Sequence, residues 1–321
     1  MLNQENSPYV MSGDAHCLLS GWSSASGFGV PGISFFRQMV TERVKFLQDT
    51  FHLHCIHDNE EDLSAGISNH LSASNLPVIA LDQNYVKCPH IPLEVSRLCD
   101  PTSLKGQVLG SRNETPFHLQ LDHIATLGHR EVQLADDVIF TAEDLAKVII
   151  PSLKERCVAV KRVVAGILVG KGKDTLKEFH PDIEVVAVRY YPKVWDEVCE
   201  RDFLAGVPQS GRLFGKDGMP IFPKTCAPYF RPWCRNSSGE CFLHKWATLG
   251  SEKNSLEMER KILEWSHFCL VQSIRLWEEI ERLSRRSVHC DELDRRPWGI
   301  PYDGSRFVDH LVRTLKELEK S

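Results

Sequence analysis

Short apolar runs alternate with amphipathic stretches along roughly the first two-thirds of the chain. The runs are rich in Val, Ile and Leu and predict strands, whereas the stretches between them carry helical spacing. Such alternation is typical of a mostly parallel sheet flanked by helices, so the predicted fold class is α/β. The predicted strands are 16–20, 52–56, 77–82, 132–136, 163–169 and 184–190, and the predicted helices are 33–49, 60–73, 117–127, 142–157 and 173–179.

Several features interrupt or follow this alternation. Pro151 should kink or divide helix 142–157, because proline removes a helical hydrogen bond. Residues 83–116 form a long excursion with many Pro and Gly, and the chain is irregular again over 206–250. One long amphipathic helix follows at about 256–284. Its apolar stripe predicts packing on the domain or on a partner subunit, which leaves a homodimer open.

Composition and charge restrict the class of protein. The chain has 321 residues, of which 42% are hydrophobic, as a globular protein with a proper core requires. The net charge of −5 gives no general attraction to nucleic acid or anionic membranes, although a small phosphorylated ligand needs only a local site. The chain shows neither a signal-peptide pattern nor an uninterrupted membrane-spanning stretch, so we expect a soluble, cytoplasmic protein. The 11 cysteines, without a CxxC pair, favour reduced thiols.

The stretch VQLADDVIFTAED, residues 132–144, carries the most distinctive chemistry. An apolar strand runs into Asp136 and Asp137, and a helix begins near Thr141. Carboxylates resist burial, so two of them at the end of a buried strand must be satisfied by solvent or by a ligand. The N-terminus of the helix that follows offers free N–H groups to an anion.

This arrangement resembles the signature of the type I phosphoribosyltransferase family, in which a strand, two acids and a short apolar step precede Thr-Gly-x-Thr. The resemblance covers roughly residues 50–215. It implies a phosphoribosyltransferase-like core and a pentosyltransferase activity that uses phosphoribosyl pyrophosphate together with Mg²⁺. It also implies that Asp136 and Asp137 bind the ribose hydroxyls. The loop that would then surround the 5′-phosphate consists of Thr141, Ala142, Glu143 and Asp144.

The same resemblance divides the chain into three parts. Residues 1–50 are expected to form an N-terminal extension packed on the core, and residues 51–215 to form the phosphoribosyltransferase-like core. Residues 216–321 then form an irregular and helical C-terminal region with the long helix. The implied partner is a small-molecule ribosyl phosphate or nucleotide.

The loop also departs from the family pattern. Ala142 replaces a glycine, Asp144 replaces a hydroxyl residue, and Phe140 stands where some purine-using members have a catalytic aspartate. These changes leave open a non-catalytic nucleotide-binding or regulatory protein that retains the fold. A further alternative needs no ligand, because residues 141–144 approximate a capping box and Asp137 would then end its strand in solvent.

Further polar side chains follow other predicted strands. Lys171 and Lys173 come after strand 163–169, and Ser210 and Arg212 belong to a Gly-rich loop at 202–212. Since parallel sheets bind ligands beyond the carboxyl ends of their strands, these side chains are candidates for contacts to phosphate or substrate. An ordinary Gly-Pro turn with a solvated arginine is the alternative for the loop.

Two more motifs are weaker. GFGVPG, residues 27–32, satisfies GxGxxG after predicted strand 16–20, so a nucleotide-dependent enzyme using this loop is a further alternative to a plain Gly-rich connection. Four residues with ligand chemistry suited to zinc follow the predicted core, although they lack a CxxC knuckle. These weak zinc candidates are Cys226, Cys234, Cys241 and His244.

Overall fold

The computed structural model describes residues 7–99, 106–111, 115–216, 219–226, 256–297 and 299–320. Within these residues the strands are β1 (Tyr9–Ser12), β2 (Cys55–Asp58), β3 (Val78–Ala80), β4 (Ile91–Pro92), β5 (Val95–Cys99), β6 (Gly106–Ser111), β7 (Glu131–Ile139), β8 (Ala159–Val169), β9 (Glu184–Tyr191), β10 (Asp196–Cys199), β11 (Arg212–Lys216), β12 (Met219–Cys226) and β13 (Arg296–Pro297). The helices are α1 (Ala15–Ser26), α2 (Ile33–Phe51), α3 (Glu60–Ser72), α4 (Phe117–Thr126), α5 (Ile150–Glu155), α6 (Gly170–Phe179), α7 (Leu256–Ser284) and α8 (Phe307–Leu318).

The central sheet has five parallel strands in the order β4-β3-β7-β8-β9. Strands predicted at 77–82, 132–136 and 163–169 are therefore parallel neighbours, and the predicted α/β class with helix-flanked parallel strands is confirmed. Strand β8 reads AVKRVVAGILV and is buried along most of its length, as a strand covered on both faces must be.

Helices cover the central sheet on both faces. On one face, Val164 and Ile167 of β8 pack in the same core as α3. On the other face, Val163 and Leu168 pack with α4, α5 and α6. Successive side chains of a strand point to opposite faces, so this alternation assigns each apolar residue of β8 to one of the two cores.

Two further sheets flank the central one. Strands β10, β1 and β2 form a parallel three-stranded sheet, with β1 in the middle. A mixed sheet has the order β13-β12-β11-β5-β6, and the long excursion predicted at 83–116 supplies β4, β5 and β6 to the structure. The carboxyl ends of β1, β3, β7 and β10 lead into the loops that form the site described below.

The N-terminal and C-terminal helices share one core. Trp265 and Trp277 of α7 are fully buried and belong to the same cluster as Leu19 of α1, Met39 of α2 and Phe307 of α8. The apolar stripe of the long helix is thus used within the chain, whereas a homodimer stays a prediction. The division into parts 1–50, 51–215 and 216–321 also stays a prediction. None of the described helices is long and apolar enough to cross a membrane.

Several predicted elements need correction. Residues 16–20 are helical rather than a strand, because Ala15, Leu18 and Leu19 are buried at helical spacing on one face of α1. A short apolar run does not by itself distinguish a strand from a buried helix. Strand β1 was missed, and β2 begins later than predicted because His52, with φ 56°, ends α2 in a left-handed conformation.

The predicted helix at 142–157 is divided, as its proline suggested. A π-helical turn, Leu145–Ile149, gives way to α5, and Pro151 lies in the first turn of α5. Proline is tolerated there because the N–H groups of a first turn have no intrahelical partner. The sequence therefore predicted the position of the break, whereas the π geometry before it was not predicted.

Candidate functional site

Strand β7 carries both acids inside the strand, not after it. The strand continues to Ile139, three residues beyond its predicted end at Asp136. Strand β3 stops at Ala80, opposite Ala135, so beyond this point β7 pairs only with β8 among the described strands. The acids therefore lie where one neighbouring strand has ended and the adjacent edge of β7 is open to the cavity. This is the physical reason that a buried strand can hold two carboxylates.

Main-chain groups satisfy part of each carboxylate. Asp136 Oδ1 accepts a hydrogen bond of 3.1 Å from Asp137 N, and Asp137 Oδ1 accepts one of 2.7 Å from Val138 N. Gly166 of β8 lies beside Asp137, and a Cβ at that glycine would lie only 2.6 Å from the Asp137 carbonyl oxygen. The close approach of the two strands at the acidic pair therefore requires glycine.

A buried arginine holds Asp137. Arg201, in a 3₁₀ turn after β10, places Nη2 3.3 Å from Asp137 Oδ2. Its Nη1 atom lies 3.0 Å from Asp14 Oδ2 and 3.3 Å from Asp82 Oδ2. The Arg201 side chain is 7% exposed, and those of Asp14 and Asp82 are fully buried. Three carboxylates from the ends of β1, β3 and β7 thus converge on one guanidinium.

Burial and charge shift the pKa values in this cluster. Burial alone would lower the pKa of Arg201, but Cys199 and the three carboxylates raise it well above its ordinary value. Burial raises the pKa of Asp14 well above its ordinary value although Arg201 opposes the shift. Burial, assisted by the charge of Asp137, also raises the pKa of Glu197. The cluster is a buried ion network, and removing one of its members leaves the remaining buried charges without compensation.

A cavity of about 270 Å³ opens beside this network. Most of its lining comes from the end of β7 with the turn after it, the turn that carries Arg201, and the loop that precedes β11, and the residue after β3 and the start of β5 complete it. The described lining residues include those at 136–140 and 142–145, together with Cys199, Arg201, Asp202, Gln209 and Gly211. The acidic motif and the Gly-rich loop at 202–212, more than sixty positions apart in the sequence, therefore meet at one cavity.

The turn at 141–144 has a strained residue at its centre. Ala142 has φ 57°, in the left-handed region, at the position where the resemblance has glycine. Its carbonyl accepts a hydrogen bond of 2.8 Å from Ala146 N and so begins the helical segment. Thr141 Oγ1 accepts only a long bond of 3.5 Å from Glu143 N. Glu143 is exposed and Asp144 half-buried at the rim of the cavity.

The Gly-rich loop is held by its own polar contacts. Gly211 N donates to Asp202 Oδ1 at 2.6 Å, and Gln209 N donates to Asp294 Oδ2 at 3.2 Å. Gln209 has φ 60°, a second left-handed residue beside the cavity. Ser210 is buried between two cavity-lining residues, and no described group bonds its hydroxyl. Strain concentrated on both sides of one cavity is characteristic of functional sites.

The remaining basic candidates differ in position. Lys171 is exposed in the first turn of α6, and Lys173 Nζ lies 4.6 Å from the centroid of the Tyr190 ring. Neither belongs to the described lining of the cavity. The backbone of Arg212 begins β11 next to the cavity-lining Gly211, and its side chain lies outside the described part of the structure.

The GFGVPG motif is a packed connection between α1 and α2. It follows a helix rather than a strand, so the condition for a dinucleotide-binding turn is not met. Phe28 stacks on Trp22 at 5.0 Å between ring centroids, and Arg286 lies 3.5 Å above the Phe28 ring. A Cβ at Gly29 would lie 2.9 Å from Leu283 Cβ, so α7 packs closely on the loop.

The proposed zinc ligands lie beyond what the structure describes. Cys234, Cys241 and His244 fall outside the described residues, and of Cys226 only the backbone is described. Sequence reasoning missed Asp14, Asp82 and Arg201. Asp14 and Asp82 do carry a signal, because each is an acid that comes shortly after an apolar run, whereas nothing in the local sequence singles out Arg201.

Comparison with known proteins gives distant similarities only. No family model and no curated protein matches the chain. Among solved structures, it is similar to the UMP synthase of Leishmania donovani, with 15% identity, a TM-score of 0.26, and coverage of 41% of this chain and 27% of that one. It is also similar to orotate phosphoribosyltransferase from Aeropyrum pernix, with 16% identity, a TM-score of 0.25, and coverage of 41% and 68%. The chain thus spans about a quarter of the first structure, and likenesses at these TM-scores carry no argument about function.

Proposed function

We propose that the protein binds a phosphoribosyl group, or a related ribosyl phosphate or nucleotide, in the cavity beside Arg201 and transfers its ribosyl group. The observation that carries this proposal is the convergence of residues 136–145 and 199–211 on one cavity at the carboxyl ends of parallel strands. Ligands of α/β proteins bind in that position. The carboxylate of Asp136 supplies oxygen acceptors for the hydroxyls of a vicinal diol.

The two acids have different roles in this proposal. Asp136 is half-buried at the cavity, so its carboxylate accepts hydrogen bonds from the ribose hydroxyls. Asp137 is engaged by Arg201 and by Val138 N, so it orients the end of β7 and shapes the floor of the cavity. Main-chain N–H groups at the start of the helical segment, near Ala142, face the 5′-phosphate.

Mg²⁺ fits the donor chemistry of the cavity. Its described lining includes five carboxylates, those of Asp136, Asp137, Glu143, Asp144 and Asp202. Mg²⁺ prefers oxygen ligands and binds through one or two carboxylates together with the phosphates of a substrate. Bound with phosphoribosyl pyrophosphate, it supplies charge neutralisation for the departing pyrophosphate. Asp136 and Asp202 are the residues that would hold it.

A non-catalytic binder is the second candidate, and one observation favours it. Asp137 is paired with Arg201 inside the buried network, which makes it a weaker acceptor for the hydroxyls of a sugar. The turn at Ala142 also carries Asp144 where the resemblance has a hydroxyl donor, so its hold on a phosphate is weaker. Such a protein binds the ribosyl ligand and releases no pyrophosphate.

Calorimetric titration with phosphoribosyl pyrophosphate, in Mg²⁺ and in EDTA, tests the proposal, with ribose 5-phosphate and nucleoside monophosphates as further ligands. Asp136→Ala should weaken binding by about 1–2 kcal/mol. The matched control is Asp174→Ala, which alters an exposed carboxylate on α6. Pyrophosphate release in the presence of a panel of bases distinguishes the transferase from the binder. Failure of all these ligands to bind the wild-type protein would refute both candidates.

A further inference from the structure

A second cluster of metal-ligand side chains lies away from the cavity, near the C-terminus. Cys290, Asp303 and His310 each offer one ligand atom, and these atoms all lie within 4.8 Å of one another. Cys290 is buried, His310 is half-buried and Asp303 is exposed. The cluster therefore has a buried sulfur at its base and an open side toward solvent, which gives an ion a path of entry.

Backbone hydrogen bonds fix the two segments that carry these side chains. Cys290 N donates to Ser305 O at 2.9 Å, and Asp291 N donates to Asp303 O at 3.1 Å. Phe307 N donates to the carbonyl oxygen of Val288 at 2.9 Å. Because the segments lie side by side through this short ladder, the ligand positions are set by the backbone and do not depend on side-chain contacts alone. Such preorganisation lowers the entropic cost of assembling a site.

The hydroxyl of Ser305 lies at the centre of the three side chains. Its Oγ is 2.8 Å from His310 Nε2 and 3.6 Å from Cys290 Sγ, and it donates a hydrogen bond to Asp303 Oδ1. One small polar group thus contacts every potential ligand and shows that the three side chains converge. A sulfur, an imidazole nitrogen and a carboxylate oxygen around one point form a donor set of the zinc type.

We propose that Cys290, Asp303 and His310 bind a divalent transition-metal ion, with Zn²⁺ preferred, and that Ser305 or water supplies the fourth position. Tetrahedral Zn²⁺ with bonds of about 2.0 Å to N or O and about 2.3 Å to S holds its ligand atoms roughly 3.3–3.8 Å apart. Atoms that now lie up to 4.8 Å apart must therefore move closer by up to about 1.5 Å, which side-chain rotation supplies.

The position of this site indicates a structural role. The ligands join the turn Cys290–Glu292 to the first turn of α8, and the chain between them has little regular structure. A bound ion would cross-link this stretch and hold α8 against α7, with which it shares a buried core. Metal binding that depends on the folded arrangement contributes directly to folding stability.

Metal analysis of the full chain after equilibration with Zn²⁺ and dialysis tests the proposal, together with Co²⁺ absorption as a reporter of thiolate ligation. One equivalent should bind, and Co²⁺ should show a thiolate charge-transfer band. Asp303→Asn and His310→Gln should each weaken Zn²⁺ binding at least about 100-fold. Replacing residues that only hydrogen-bond to metal ligands already lowers metal affinity by about 10–100-fold, and these two residues are the ligands themselves. Asp303 is exposed, so its variant should fold normally.

Matched variants separate this site from other cysteines. Cys157→Ser and His267→Gln alter exposed side chains of the same types elsewhere and should leave the affinity unchanged. Ser305→Ala removes the central hydroxyl and should retain Zn²⁺. Loss of Zn²⁺ in Cys234→Ser with Cys241→Ser, but not in His310→Gln, would overturn the proposal in favour of the other cysteine set. The absence of any bound Zn²⁺ in the wild-type chain would overturn it as well.

Discussion

The Nη2 atom of Arg201 lies 3.3 Å from the Oδ2 atom of Asp137, and both side chains are almost fully buried. Because of this ion pair, the two neighbouring acids Asp136 and Asp137 have different roles. Both acids line the cavity, but consecutive side chains of a strand point in opposite directions, so the two carboxylates have different neighbours. Asp137 is part of the internal network with Asp14 and Asp82, whereas Asp136 is left at the rim of the cavity.

Replacing each acid by alanine should therefore have different effects. Asp137→Ala removes a partner of Arg201 and the acceptor of Val138 N, so it should lower the free energy of unfolding by about 2–4 kcal/mol. Asp136→Ala should lower it by less than Asp137→Ala does, because Asp136 is only half-buried, and it should weaken ribosyl-ligand binding by about 1–2 kcal/mol. Urea denaturation and calorimetry measure the two quantities. Equal loss of stability in both variants would contradict the division of roles.

Ala142 is the second point at which the structure makes a sharp prediction. Alanine in the left-handed region costs about 1–2 kcal/mol of backbone strain. Glycine avoids this strain, but it loses more chain entropy on folding than alanine does, so the two effects largely cancel. Ala142→Gly with Asp144→Thr should leave stability nearly unchanged and strengthen ribose 5-phosphate binding by about 1–3 kcal/mol. The gain arises because the negative charge of Asp144 no longer repels the phosphate and the threonine hydroxyl can donate a hydrogen bond to it. Calorimetry with ribose 5-phosphate measures this.

A residue with the same backbone geometry provides the control. Cys157 has φ 59° and is exposed outside the cavity. Cys157→Gly should reproduce the backbone effect on stability and leave ligand affinity as it is. Equal affinity gains in the two proteins would show that the phosphate does not contact the turn at Ala142.

Gly166 tests the close approach of β8 to the acidic pair. A methyl group there meets the carbonyl of Asp137 at 2.6 Å, so Gly166→Ala must displace β7. We expect a loss of about 1–3 kcal/mol in the free energy of unfolding and a parallel loss of ligand affinity. Gly21→Ala is the control, because a Cβ at Gly21, on α1, meets nothing within 4 Å. It should stabilise the protein by about 0.5–1 kcal/mol. If Gly166→Ala changed neither the free energy of unfolding nor ligand affinity, β7 and β8 would tolerate a wider separation at the acidic pair.

Glu197 makes the stability depend on pH in an unusual direction. Burial and the charge of Asp137 raise its pKa well above the ordinary value, and Ser12 donates a bond of 2.9 Å to its Oε1. The native state then keeps a proton that the unfolded state releases. The contribution of Glu197 to the free energy of unfolding is therefore greatest below the ordinary glutamate pKa. It is lost as the pH rises toward the folded-state pKa, by at most about 1.4 kcal/mol per pH unit.

Glu197→Gln keeps the acceptor for Ser12 and removes the titration. Its stability relative to the wild type should increase as the pH rises above the ordinary glutamate pKa, as measured by urea denaturation at each pH. Glu178→Gln, at an exposed position of α6, serves as the control. Parallel stability curves for Glu197→Gln and the wild type would show that Glu197 is ionised in the folded protein.

The sequence was a good guide where chemistry is local. Apolar alternation predicted β3, β7, β8 and β9 and their parallel pairing, because buried parallel strands need continuous apolar runs. It failed at residues 16–20 and 9–12, where runs of four or five residues fit a strand and a helix equally well. The pairing partners of such short runs depend on contacts far away in the chain.

By itself, the sequence determined that two acids stand at the end of a buried strand, before a helix. Only the tertiary structure decided that Asp137 joins a buried ion network while Asp136 is half-buried at the cavity. Arg201 lies 64 residues beyond Asp137, and it arrives there because β10 pairs with β1 and not with the central sheet. A buried charge pairs with the opposite charge that the fold brings near it, and the sequence around the buried residue does not show which partner that is. For the same reason, Cys290, Asp303 and His310 become a cluster only when two distant turns are laid side by side.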